Sequence, residues 1–220
     1  MKLVYSLTLS FLLFVFITNL SLAFPNGNEQ VLDIMGAPVI AGKKYYITSA
    51  SIGGGGPGRG LELGKTGNSD CEVTILQSNN PFAFATSVKF TNLEHSSEKI
   101  FTSTPLVIEV SEKPDCADSS KWIVFVDNII HKSCVGIGGY GNYNDFPIVS
   151  GTFGILKHEN GYQFGFCRDG FGACYDIGTY QHFGEGGKRL YLAERELRDP
   201  FPFIFIPASF ETGIIKSLVA

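Results

Sequence analysis

Past its N-terminal stretch, the 220-residue sequence contains no apolar run long enough to cross a bilayer as a helix. It also lacks any block of like charge; charged residues make up only 17% of the chain and the net charge is −4. A mildly acidic chain repels phosphate backbones and anionic lipid, so neither nucleic acid nor a membrane is expected as a partner. The one dense charge cluster, Glu194–Asp199, mixes both signs and reads as a solvated turn. Metal-binding spacings are missing as well. There is no C-x-x-C and no H-E-x-x-H, and the histidines at 95, 131, 158 and 182 stand far apart. Neither a metal nor a cofactor is therefore expected. A G-x-S-x-G nucleophile elbow is absent. Catalytic triads are defined by geometry rather than spacing, yet the one adjacent pair, His95-Ser96, would point to opposite sides of an extended segment. It reads as two polar loop residues, and no catalytic residue and no enzyme activity is expected. Gly58–Thr66 imitates a phosphate-cradling loop, but Arg59 occupies the place of its first glycine and no helix follows Thr66.

A helical period is the next absence. Arg189–Arg198 is the one tempting segment, and Gly-rich and Pro-rich turns clamp its ends. The text instead reads as short strands. Aromatic and β-branched runs occur at Lys44–Thr48, Glu72–Gln77, Leu106–Val110, Trp122–Val126, Thr152–Leu156, Tyr162–Cys167, Arg189–Leu192 and Phe201–Ile206. The 26 glycines and 10 prolines supply the turns between them, including a hairpin at Glu159-Asn160-Gly161. Such spacing predicts a closed or sandwich-like all-β domain. Strands flank the glycine-rich stretch Gly53–Gly60 closely, so it reads as a hairpin loop and not as a linker. A faint threefold repeat starts near Tyr45, Leu106 and Phe153.

Lys2, the apolar run Leu7–Leu20 and the small residues of Ser21-Leu22-Ala23 make a secretory signal, with cleavage expected after Ala23. The only N-glycosylation sequon, Asn19-Leu20-Ser21, lies inside it. Residues 1–23 are thus set aside, and residues 24–220 suit a single domain able to bury a core. Behind such a signal, disulfides are the expected state of the cysteines at 71, 116, 134, 167 and 174, and the odd count leaves one thiol over. Cys134, between Lys132-Ser133 and Val135, reads as buried and inert, because nothing near it in sequence would lower its pKa.

One stretch is specific. Val31–Ile47 carries an apolar pair, Asp33, Gly36, an apolar Val39-Ile40, Gly42 and then Tyr45-Tyr46-Ile47. It resembles the N-terminal signature of the Kunitz-type soybean trypsin inhibitor family. The likeness continues through Cys71–Gln77, Lys121-Trp122, Phe166-Cys167, Cys174–Gly178, Lys188–Leu192 and Pro202–Phe205, in the family's order. The resemblance implies a β-trefoil of twelve strands in three pseudo-repeated units, six closing a barrel and six capping it as hairpins. It implies the disulfides Cys71–Cys116 and Cys167–Cys174, with Cys134 unpaired. It further implies a secreted plant protein, expected to be monomeric, whose partner is a serine endopeptidase that it inhibits; delivery to the vacuole begins with the same signal. A non-inhibitory, miraculin-like binding or storage protein is the alternative on the same fold.

Family inhibitors present a rigid loop to the protease as a substrate would. A loop ordered in folding spends none of its contact energy on ordering when it binds. Matched on Thr104-Pro105-Leu106, that loop is Thr91–Ile100, with His95, Ser96, Ser97, Glu98 and Lys99 as its reactive residues. Ser96 would enter the specificity pocket, and the bond to Ser97 would be the exposed one. Two departures from the family pattern stand out. A trypsin inhibitor offers Arg or Lys at the Ser96 position, and losing such an anchor costs about a hundredfold or more in affinity. The family's bracing asparagine from the first loop is replaced by Ala41, whose side chain neither donates nor accepts. Lys99 in a shifted register would suit a trypsin-like pocket, Leu93 a chymotrypsin-like one, and Ser96 an elastase- or subtilisin-like one; for Lys99 a plain edge-strand charge is the preferred reading. Arg168–Ala173, between two cysteines, is a second constrained turn, read first as a plain strand connection. The apolar tail Ile214–Ala220 reads as an unstructured terminus.

Overall fold

The computed structural model describes residues 28–50, 59–67, 69–80, 86–94, 97–143, 146–170, 174–193 and 200–209. The expected signal segment, most of the glycine-rich stretch, Glu194–Asp199 and the C-terminal tail lie outside the described residues. Thirteen strands run through the described ones. They are β1 (Tyr45–Ser49), β2 (Leu61–Gly64), β3 (Thr74–Ser78), β4 (Ser87–Asn92), β5 (Leu106–Val110), β6 (Trp122–Asp127), β7 (Lys132–Ile137), β8 (Ile148–Val149), β9 (Gly151–His158), β10 (Gly161–Arg168), β11 (Cys174–Gln181), β12 (Gly187–Ala193) and β13 (Phe203–Pro207). No helix among the described residues is long and apolar enough to cross a membrane.

Six strands form a closed ring of antiparallel neighbours, β1-β4-β5-β9-β10-β13 and back to β1. Its first and last strands meet in the same way in each third: Tyr45↔Val88, Leu106↔Phe153 and Tyr162↔Phe203. Between those two strands each third sends out a hairpin, β2–β3, β6–β7 or β11–β12. One strand of each hairpin then touches the other two, through Thr74↔Gly136, Tyr191↔Cys134 and Arg189↔Leu76. This is the β-trefoil, a six-stranded barrel with a hairpin cap. Closure removes the open sheet edges that invite aggregation.

One expectation needs correcting. The third unit starts at Tyr162 in β10 and not at Phe153, because Phe153 belongs to β9, the strand that returns to β5 and completes the second unit. A thirteenth strand, the two-residue β8, pairs with β6 and adds to the twelve of the trefoil.

Alternation fills the barrel. In β13, Phe203 and Phe205 point inward and are fully buried. The Phe205 ring packs against Tyr45, Phe90, Tyr162 and Phe203, at centroid distances of 6.2, 5.5, 5.5 and 5.2 Å. Three of these four are edge-on or nearly so, the arrangement the ring quadrupole favours. Full burial of each such side chain contributes about 2–3 kcal/mol. Trp122 stands edge-on to Phe153 and Phe164 at 5.8 and 5.2 Å, which joins the cap to the barrel. Where β7 approaches β3, through Thr74↔Gly136, there is no room for a side chain on Gly136. A Cβ on Gly136 would lie 2.2 Å from the Tyr143 hydroxyl and 2.7 Å from the Val73 carbonyl.

Candidate functional site

The expected reactive loop connects β4 to β5. Asn92 ends β4, opposite Leu106, and the Leu93 N–H donates to the Pro105 carbonyl at 3.2 Å. Leu93 and Glu94 are exposed; His95 and Ser96 lie outside the described residues. Ser97 is half-buried, Glu98 and Lys99 are exposed, and Ile100 is fully buried. Lys99 pairs with Ile40 as an isolated bridge. The chain therefore leaves the sheet at Asn92 and is back under restraint by Ser97.

The restraint comes from the N-terminal segment. Residues 31–39 fold on themselves, with the Asp33 carboxylate accepting from the Met35 and Ala37 N–H groups at 2.8 and 3.0 Å and Gly36 at φ +76°. That explains the Asp and Gly of the signature, since an aspartate that caps its own turn and a residue in the left-handed region are both turn devices. The folded strap then grips the loop. The Ala41 N–H donates to the Glu98 carbonyl at 2.7 Å, the Ile100 N–H to the Val39 carbonyl at 2.9 Å, and the Val31 N–H to the Ile100 carbonyl at 2.9 Å. The strap itself is fastened to the barrel. The Leu32 N–H donates to the Tyr162 hydroxyl at 2.8 Å and the Ile34 N–H to the Phe205 carbonyl at 2.9 Å.

Ala41 thus contributes through its backbone, although its side chain makes no polar contact. A side chain that the sequence reading did not single out reaches the loop instead. The Asn92 amide nitrogen donates to the Ser97 carbonyl at 2.6 Å and to the Lys99 carbonyl at 3.2 Å. Both partners are acceptors, so the amide orientation is fixed by its surroundings. The Lys99 N–H donates to the Ser97 hydroxyl at 3.0 Å. An asparagine at the mouth of a loop is a common turn residue, and nothing in its spacing distinguishes a brace from a turn.

The other sequence candidates resolve as structure. Cys71 is bonded to Cys116, and Cys167 to Cys174 across β10 and β11 in register. The Arg168–Ala173 turn is described only to Gly170, at φ +75°. The pseudo-phosphate loop contains β2, and its Thr66 hydroxyl shares a hydrogen bond of 2.5 Å with the Thr74 hydroxyl. Cys134 is fully buried, and burial pushes its thiol up to about 11. The sequence reading found no neighbour able to lower it; Arg189 is such a neighbour, 3.9 Å from the sulfur, but burial outweighs it. A thiol so placed is neither nucleophile nor ligand.

Among the described residues Arg189 is the most deeply buried charge, with 1% of its side chain exposed. It donates to the Asp127 carboxylate at 2.5 Å, and its Nε and second terminal nitrogen grasp both oxygens of Glu185. Asp127 also accepts from the Ile129 and Ile130 N–H groups at 2.8 and 3.2 Å. Burial drives its carboxyl upward, but these hydrogen bonds more than offset that and hold it below the usual carboxylate range. Every group here already has its partner, so the cluster pins the β6–β7 and β11–β12 hairpins together and offers nothing to a substrate.

A family profile described as trypsin and protease inhibitor, of the Kunitz legume type, matches residues 31–206. The chain is 49% identical over 223 residues to a Kunitz-type trypsin inhibitor-like 2 protein of Pisum sativum, with all of both chains covered. It is 44% identical over 195 residues to subtilisin inhibitor CLSI-II of Canavalia lineata, covering 87% of this chain and 99% of that one. Among solved structures, a Kunitz type trypsin inhibitor from Cicer arietinum is 47% identical, with a TM-score of 0.75 over 82% of this chain and 99% of that one.

Proposed function

The chain belongs to the Kunitz legume family of trypsin and protease inhibitors, and on that premise we propose that it is a secreted inhibitor of serine endopeptidases. It acts through Thr91–Ile100, after removal of residues 1–23, as one domain spanning 24–220. The observation that carries this reading is the doubly held exit of the loop. From Ser97 to Ile100 the backbone is fastened to the strap on one side and to Asn92 on the other. A protease gains affinity from such a loop because little order remains to be imposed on it. In this reading His95 and Ser96 present the acyl side of the bond, and Ser97, Glu98 and Lys99 the amine side. A serine suits a small specificity pocket of the elastase or subtilisin kind, in keeping with a relative named for subtilisin inhibition, and disfavours strict trypsin specificity.

The test is titration of the mature chain Phe24–Ala220 against trypsin, chymotrypsin, elastase, subtilisin and papain. Stoichiometric inhibition of a serine protease, lost on Ser96→Pro, is the expected outcome. Failure against the whole panel, with the loop simply cut, leaves the second reading, a non-inhibitory binding or storage trefoil. The observations that favour this alternative are the apolar side chain at Ala41 and the serine at position 96.

A further inference from the structure

On the reading that this loop meets a protease as a substrate would, we propose that Asn92 is the positioning residue that keeps the chain an inhibitor rather than a substrate. The argument starts from the period of an extended strand, in which successive carbonyls point to opposite sides. Between Ser97 and Ile100 the even positions face the strap: the Glu98 carbonyl accepts from Ala41, and Ile100 bonds to Val39 and Val31. The odd positions face the other way, and Asn92 meets both, at the Ser97 and Lys99 carbonyls. The strap cannot substitute for it, because it lies on the wrong side. Asn92 is also rigidly mounted as the last residue of β4, in register with Leu106, whose side chain is buried.

The consequence lies in what the brace connects. Asn92 is upstream of the Ser96-Ser97 bond, and both of its acceptors are downstream. When a protease serine attacks the Ser96 carbonyl carbon, the peptide C–N bond breaks, Ser97 leaves as an amine and an acyl-enzyme ester forms. Water can hydrolyse that ester and complete the cut. Alternatively the Ser97 amine attacks the ester carbon, the protease serine oxygen departs and regains its proton, and the peptide bond is restored. The second course needs the amine to stay in place, which is an effective-concentration argument. Asn92 secures it directly, because its bond to the Ser97 carbonyl spans the break and ties the new ends together. The family position at Ala41 lacks a side chain to do so, and Asn92 takes over the task from within the loop.

The test compares wild type, Asn92→Ala and Asn92→Asp as mature chains with catalytic amounts of subtilisin. Mass spectrometry follows the rate of cutting within 92–100 and the final ratio of intact to cut protein, approached from both intact and pre-cut material. Each lost hydrogen bond is worth a factor of a few, so Asn92→Ala is expected to raise the cutting rate and shift the ratio toward cut protein by about tenfold. Asn92→Asp is expected to exceed that, since a carboxylate would face two carbonyl oxygens. Amide exchange in the uncut proteins should quicken at Lys99 and Ile100 and stay unchanged in the barrel strands. Equal rates and ratios for wild type and Asn92→Ala overturn the proposal, as does faster cutting accompanied by faster exchange throughout the barrel. The rates remain comparable even if wild type inhibits nothing. That result would remove the inhibitory reading while still deciding whether Asn92 holds the loop.

Discussion

Replacing Arg189 by Met keeps the length and the apolar stem of the side chain and deletes only the guanidinium. Glu185 sits on the turn between β11 and β12 and, with 7% of its side chain exposed, would need that turn to open before its carboxylate could reach water. Asp127 has no such route, since its side chain is 2% exposed and one oxygen is held by the Ile129 and Ile130 N–H groups. Its other oxygen, bonded to Arg189 in the wild type, is left bare. Removing one partner of a buried pair costs about 3–5 kcal/mol, a large share of the roughly 5–15 kcal/mol that ordinary domains possess. With a urea slope of about 2 kcal/mol per molar, the midpoint should fall by about 2 M, read by tryptophan fluorescence with both disulfides intact. Acid supplies the decisive control. In wild type the Asp127 carboxyl lies below its unfolded value, so its contribution is complete above the ordinary carboxylate range. That contribution is lost as pH falls through the folded value. In Arg189→Met the same carboxyl, buried without its cation, lies above the ordinary range and gains stability on protonation. The gap between the two proteins should therefore narrow as pH drops from about 7 to about 4. A loss below about 1 kcal/mol, or a gap that does not change with pH, would refute the view that Arg189 neutralises a trapped carboxylate.

The two bridges should differ in weight. Cys71–Cys116 spans a sequence separation of 45 and Cys167–Cys174 one of 7, so chain entropy assigns them about 4 and about 2.4 kcal/mol. Paired Cys→Ala variants in denaturant titrations check this, and a reversed order would contradict it. Cys134 should resist iodoacetamide near pH 8 in the folded protein, because burial both shields the sulfur and pushes the thiol up to about 11. Alkylation faster than global unfolding, followed by mass spectrometry, would show that the thiol is reachable.

Much of the barrel was legible because its strands announce themselves by composition. Phe-Ile-Phe-Ile in β13 and Leu-Val-Ile-Glu-Val in β5 need only the period-2 rule. The cap was harder. β7 and β11 carry Gly, Ser and Cys where a strand ordinarily carries bulk, and the reason is visible only in three dimensions: at Gly136 a neighbouring hydroxyl and carbonyl occupy the space. The start of the third unit was misplaced because β9 and β10 both alternate, and only pairing shows which of them returns to β5. At the site, the family signature pointed to residues 91–100 as the expected loop and to the segment that forms the strap. It could not reveal Asn92, whose amide acquires meaning only when the chain turns back upon it. Nor could it pair Arg189 with Asp127, which lies 62 residues away; the sequence offers merely a charge inside an apolar strand.

The ring has a seam, and its place in the chain sets the order of events during synthesis. β1 is among the first strands to leave the ribosome, but its second neighbour is β13. The strap that grips the loop is likewise fastened to Tyr162 and to the Phe205 carbonyl, far downstream. Domains generally fold as units during synthesis, and here the hold on residues 97–100 is incomplete until translation has passed Pro207. A nascent or prematurely terminated chain therefore carries residues 97–100 without that hold. The restraint on the loop thus arrives with the last strand of the ring, β13.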